Sequence, residues 1–355
     1  MGRCWGLSKN LKRCGRYGDW YFFCDDHKRQ PIVWIFILVF TVMIGLGSLY
    51  LGLKGSEDLQ RIEDKVDLVL KYSEPTQKEV ESEIDKEFKD EFEKKKKAAF
   101  ELYQKGLHAY KRDNFKKAIN HFKKAINIFA IPTFYLYRGN CYDKTNQFKK
   151  ALADNNEAIK LNPKFFKAYN NLGVSWALKG DHDNAIINYN KTIEINPNYA
   201  NAYNNRAYSW TLKGDYDNAI VDLNKAIDLN KNFASAYNNR GMLLNIKNDY
   251  EQALADLNKA IKLKPTYAEA YYNRATSWRK KGDNEQALAD LNKAIKLKPN
   301  FAKAYYNRGI YYLELRKNKE AAHEFNHYLK IMGNRRGDAE AVRQKIRQLG
   351  YIPEY

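Results

Sequence analysis

Residues 200–233 read ANAYNNRAYSWTLKGDYDNAIVDLNKAIDLNKNF, and residues 234–267 read ASAYNNRGMLLNIKNDYEQALADLNKAIKLKPTY. These are one unit written twice. Working outward, Ala151, Ala185, Ala219, Ala253, Ala287 and Ala321 recur every 34 residues, and Ala118 precedes Ala151 by 33. A fixed period in this range marks stacked supersecondary units, each of which buries its apolar face only against copies of itself. Seven units fit, starting at 99, 132, 166, 200, 234, 268 and 302. Each reads as two amphipathic helices around a Gly/Asn-Asp turn, as in KGDHDNA (179–185), KGDYDNA (213–219) and KNDYEQA (247–253). Many units close with Pro, at Pro163, Pro197, Pro265 and Pro299, with Lys231 in its place once.

The unit from Ala200 places Tyr203, Ala207, Trp210, Ala219, Leu223 and Ala226 at its positions 4, 8, 11, 20, 24 and 27. The unit from Ala268 gives Tyr271, Ala275, Trp278, Ala287, Leu291 and Ala294, and that from Phe166 gives Tyr169, Gly173, Trp176, Ala185, Tyr189 and Thr192. This pattern resembles the tetratricopeptide repeat. The resemblance implies an all-α helix-turn-helix solenoid, a right-handed superhelix whose concave face is lined by first helices and holds partner proteins or peptides. Small residues at 8, 20 and 27 let backbones approach while large residues fill the gaps. A polar helix, DAEAVRQKIRQL (338–349), is expected to cap the array within a C-terminal segment at 336–355.

Position 6 is Asn171, Asn205, Asn239, Asn273 and Asn307 in five consecutive units, after Gln104 and Tyr137. A carboxamide donates and accepts at once, so a row of them can grip an extended backbone. The row is similar to the asparagine ladder in the repeats of O-GlcNAc transferase, although no transferase domain follows it here. The other reading is that these amides bridge neighbouring helices. Position 5 adds Asn170, Asn204 and Asn238, then Tyr272 and Tyr306. All ten are expected to face a partner. The carboxylate clamp of chaperone-tail binders is not matched, since it wants Lys at 5 and Arg at 6.

Position 7 is Arg138, Leu172, Arg206, Arg240, Arg274 and Arg308 in units two to seven, and position 23 is Asp154, Asn188, Asp222, Asp256, Asp290 and Glu324. An acid stands wherever Arg does, and neutral Asn188 accompanies Leu172. This covariation predicts a structural pair joining the two helices of a unit, because a planar guanidinium matches a carboxylate bidentately.

Residues 32–53, IVWIFILVFTVMIGLGSLYLGL, carry no charge and are long enough for a transmembrane helix. A slight excess of Lys/Arg before them places the N-terminus in the cytoplasm and the repeats on the opposite side of the membrane. The basic head, 1–31, spaces Cys4, Cys14, Cys24 and His27 as a three-cysteine, one-histidine zinc set. Palmitoylation of Cys24, or free thiols, are the alternatives. A helical stalk, 54–98, carries short stripes at Leu59, Ile62, Val66 and Val69 and at Val80, Ile84, Phe88 and Phe92. These suit either self-association with another copy or folding back on the repeats.

Residues 98–355 carry 43 Lys/Arg against 25 Asp/Glu. The alternative to a membrane-anchored protein scaffold is therefore a basic repeat protein that binds nucleic acid or another polyanion. Lys225, Lys259 and Lys293 lie on second helices, away from the nearly neutral first helices, which argues against a phosphate-lined groove. HEFNH at 323–327 matches a zinc-protease motif, but Phe325 falls on a core position and Glu324 on the Arg308 pairing position. No phosphate-binding loop or nucleophile elbow occurs, so no enzyme is expected, and Cys141 reads as packed.

Overall fold

The computed structural model describes residues 74–333 and 339–355. The zinc set Cys4, Cys14, Cys24 and His27, the apolar segment 32–53 and the first stalk stripe lie outside the described residues. Every helix described belongs to a hairpin or caps one: α1 Glu74–Lys111, α2 Phe115–Ile128, α3 Pro132–Lys144, α4 Phe148–Leu161, α5 Phe166–Lys179, α6 His182–Ile195, α7 Ala200–Leu212, α8 Tyr216–Leu229, α9 Ala234–Ile246, α10 Tyr250–Leu263, α11 Ala268–Lys280, α12 Asn284–Leu297, α13 Ala302–Glu314, α14 Asn318–Met332 and α15 Ala339–Gln348.

The single-pass membrane localisation is corrected by this description. Among the described residues no helix is long and apolar enough to cross a membrane. The one helix with sufficient length, α1, is crowded with Lys and Glu.

The chain divides into two compact units, one ending at Gln147 and one beginning at Phe148. In the first, α1 runs without a break through the expected boundary between stalk and repeat at 98/99. Residues 76–105 contain no Gly or Pro, and Lys95–Glu91 and Lys96–Glu93 pair along the helix, so nothing stops it there. Phe92 packs edge-on against Phe129, with ring centroids 5.3 Å apart. This part of the second stalk stripe folds back on its own repeat. Tyr103, Phe122, Phe134 and Cys141 are buried together in the core of this unit.

In the second unit, each helix hairpin packs tightly on itself and against the next hairpin. The turns explain the recurring KGD and KND. Gly214 and Asn248 take left-handed backbone at φ 83° and 63°, open to Gly and tolerated by Asn. The Asp that follows caps the second helix: Asp215 accepts from the Asn218 N–H at 3.1 Å and Asp249 from that of Gln252 at 3.2 Å. Ala207, Ala219 and Ala226 are buried against Tyr203, Leu223 and Leu243. At position 8, a Cβ on Gly173 would stand 2.6 Å from the buried Tyr189 ring, and one on Gly241 would stand 2.7 Å from Leu257. Small residues at these positions are thus a packing requirement. The array ends as its polar last helix allows: Val342 and Ile346 of α15 close over Phe325, Tyr328 and Leu329. The Glu354 N–H then donates to Asn326 Oδ1 at 3.0 Å, holding the tail down.

Candidate functional site

The amides of positions 5 and 6 find one another. Between units, Asn205 Nδ2 donates to Asn170 Oδ1 at 3.1 Å, Asn239 to Asn204 at 3.0 Å, and Asn273 to Asn238 at 2.9 Å. Within units, Asn170 donates to Asn171, Asn204 to Asn205 and Asn238 to Asn239, at 3.2–3.5 Å. The result is one polarised relay of seven carboxamides, from Asn273 to Asn171, crossing four units. Asn307 extends the same geometry by donating to the Tyr272 hydroxyl at 2.9 Å. Burial raises the Tyr272 pKa, keeping the phenol neutral.

This changes the expected assignment. Asn170 and Asn238 are buried, so they serve the joint between units instead of lining an open face. Tyr306 packs on Phe325 and Tyr328, with centroids 5.5 and 5.3 Å away, and belongs to the C-terminal core. Tyr272 packs on Phe301. The half-buried amides of position 6 remain at the surface of the first helices. Each of Asn205 and Asn239 uses one N–H and one oxygen lone pair in the relay, out of two of each.

Seven residues after Asn171, Asn205 and Asn239 come Leu178, Leu212 and Ile246, 53%, 53% and 46% exposed. A spacing of seven returns to the same helix face about 10 Å further along. Tyr208, also exposed, lies between the two rows. Units three to five therefore present an amide row beside an apolar row. The apolar row went unnoticed in the sequence because three large aliphatics at 34-residue spacing read as core. The row stops at Lys280 and Glu314 in units six and seven.

The arginines turn away from this face. Arg206 donates through Nε and Nη2 to both Asp222 oxygens at 2.8 and 2.6 Å; Arg240 does so to Asp256 and Arg274 to Asp290, all at 2.7 Å. Arg308 reaches both Glu324 oxygens through Nη2 alone, because the longer acid meets it end-on, and its buried Nε has no partner. Where position 7 is Leu172, Asn188 instead donates to its own helix at the Asn184 carbonyl. Arg138 and Asp154 fall in different compact units.

A second ligand of Arg206, Arg240, Arg274 and Arg308 was missed in the sequence. Nη1 donates to Asn190, Asn224, Asn258 and Asn292 of the preceding unit at 2.5–2.7 Å. The guanidinium also lies over the ring at position 4, 5.5–5.7 Å from its centroid, as with Arg240 on Tyr237. The signal was present as an Asn before Lys at 34-residue spacing. Each guanidinium thus ties together three helices of two units. In HEFNH, Glu324 is held by Arg308, and His327 stacks on Tyr305. Among the described residues no cluster could hold a metal ion.

Family models described as tetratricopeptide repeat match residues 132–165, 166–199 and 234–267, and a TPR repeat model matches 211–245 and 278–315. These are tetratricopeptide repeats. Heat shock protein STI1 of Saccharomyces cerevisiae is 38% identical over 92 residues, 25% of this chain and 16% of that protein. The chain thus spans well under two thirds of that relative. Among solved structures, a tetratricopeptide repeat protein from Parabacteroides merdae is 19% identical with a TM-score of 0.55, over 72% of this chain and 99% of that one. The Cut9–Hcn1 hetero-tetramer of APC/C is 18% identical with a TM-score of 0.57, over 71% and 46%. These two likenesses concern the fold. Tetratricopeptide repeat proteins are typically non-enzymatic scaffolds, and the family matches indicate no catalytic family.

Proposed function

We infer that the array binds an extended segment of a partner protein along the first helices of units three to five. The observation that carries this reading is the pair of rows: half-buried amides with spare hydrogen-bonding capacity beside exposed Leu178, Leu212 and Ile246. Amides suit a peptide backbone, and the apolar row suits side chains projecting from it. Neighbouring helices lie about 8–10 Å apart, so three first helices span about 20 Å, or about six residues of extended chain. The face is nearly uncharged, which favours an apolar segment over an acidic one and leaves no groove for phosphates.

Selection of displayed random peptides against the full chain tests this. Selected peptides should be apolar, and Leu212→Glu with Ile246→Glu should weaken them by roughly 100-fold or more, since a buried charge replaces two apolar contacts. The thermal midpoint should stay unchanged, because both side chains already meet water. Equal binding by the double variant would remove the basis of the proposal.

A further inference from the structure

Positions 7 and 23 face each other across the hairpins of units four to seven, which fill them with a neutralised Arg–acid pair. Unit three fills them with neutral Leu172 and Asn188. The first unit departs from both: position 7 is Lys105 and position 23 is His121. Two basic groups stand where later units hold opposite charges.

Around them lies an open surface cavity of about 590 Å³ between α1 and α2, in which every basic residue except His121 is exposed. Its lining adds His108, Arg112 and Lys117 and contains no Asp or Glu. None of these five residues makes an ion pair among the described residues. His121 Nδ1 is buried with no hydrogen-bond partner. Burial, then the charges of Lys117, Lys124 and Lys105, hold the His121 pKa below its ordinary value. Asn114 is already engaged, accepting from the Lys117 N–H at 3.1 Å.

We propose that this cavity in the first repeat binds a phosphate-type oxyanion, supplied from outside in the place where later units use their own carboxylate. One carboxylate would neutralise only one of the basic groups. A phosphate group brings a charge near −2 and three strong acceptor oxygens. Arg112 can meet it with a planar fork, while Lys105 and Lys117 supply point charges. The opening leaves room for a phosphate and what carries it.

Calorimetric titration of pyrophosphate into the full chain tests this. Saturable binding is expected, weakened by roughly tenfold or more in Arg112→Ala/Lys117→Ala, where two charge-assisted contacts are lost. Lys225→Ala/Lys259→Ala removes the same charge from second helices elsewhere and should leave the affinity within about twofold. His121→Asp restores an acid opposite Lys105, as in later units, and should abolish binding without lowering the thermal midpoint. No saturable binding, an equal loss in the two double variants, or wild-type affinity in His121→Asp would each overturn the proposal. Competition then identifies the carrier. Displacement by a phosphoserine peptide assigns the ligand to a modified side chain, and no displacement by any peptide assigns it to a free phosphate compound. Both results support phosphate recognition, whereas equal displacement by the unphosphorylated peptide overturns it.

Discussion

Asp256→Asn isolates the contribution of one arginine clip. Asp256 is 6% exposed, and both its oxygens accept from Arg240 at 2.7 Å. The acid and its hydrogen bonds hold the Arg240 pKa above its usual value. Removing one partner of a buried ion pair costs about 3–5 kcal/mol. Here the arginine side chain is 24% exposed and keeps Asn224 at 2.7 Å, so water and an amide soften the loss. About 2–3 kcal/mol is the expected cost. The chain carries its own control, because unit three does without the pair by using Leu172 and Asn188. Arg240→Leu combined with Asp256→Asn should therefore recover most of the loss, with a coupling of about 2 kcal/mol in the double-mutant cycle. Repeat arrays open segment by segment, so a melting midpoint averages over units and does not localise the loss to one clip. Amide exchange in α9 and α10 is better suited, and 2 kcal/mol should speed it roughly 30-fold in Asp256→Asn. Wild-type exchange in the single variant, or a double variant as labile as the single, would refute the clip.

Three further outcomes follow from the same geometry. Asn238→Ala removes an acceptor for Asn273 and a donor to Asn239 in a buried setting, and should cost about 1–3 kcal/mol in urea unfolding. Gly173→Ala drives a methyl group into the fully packed Tyr189 ring and should cost about 1–3 kcal/mol, read as a lower thermal midpoint. The helix caps predict an acid limb. Side-chain and backbone hydrogen bonds from Asn218 hold the Asp215 pKa below the ordinary carboxylate range, and Asn184 does the same for Asp181. A depressed folded pKa means the contribution is fully present above the unfolded value, near pH 4, and is lost as pH falls through the folded value. Asp215→Asn should flatten the stability-versus-pH curve below about pH 4 and leave its slope at neutral pH unchanged.

Much of this architecture can be read from a single period. The 34-residue recurrence of Ala219 and its equivalents places the hairpins from 166 to 332, and Asp181, Asp215, Asp249 and Asp283 mark where the second helices of units three to six begin. The Arg–acid register was also legible, because a pair 16 residues apart within one hairpin leaves a covariation inside each unit. The second arginine ligand, Asn224 and its equivalents, was not recognised: it lies in the preceding unit, and a recurrent Asn on a helix surface looks like solvated filler.

The amides mark the same boundary between sequence and structure. Sequence alone determined that Asn238 and Asn239 recur in phase with their copies. It left open whether they hold a ligand or one another, since the sequence gives the phase of a residue on its own helix and nothing about the helix it meets. Tertiary stacking pairs them with one another, by bringing Asn239 against Asn204, 35 positions away, and burying Asn238 in the joint, while Asn239 keeps one N–H and one lone pair outside the relay. The same stacking left Leu212 and Ile246 outside the core. Whether an apolar residue is covered depends on how closely the neighbouring hairpin approaches, and that distance is set by the small residues packed between the helices.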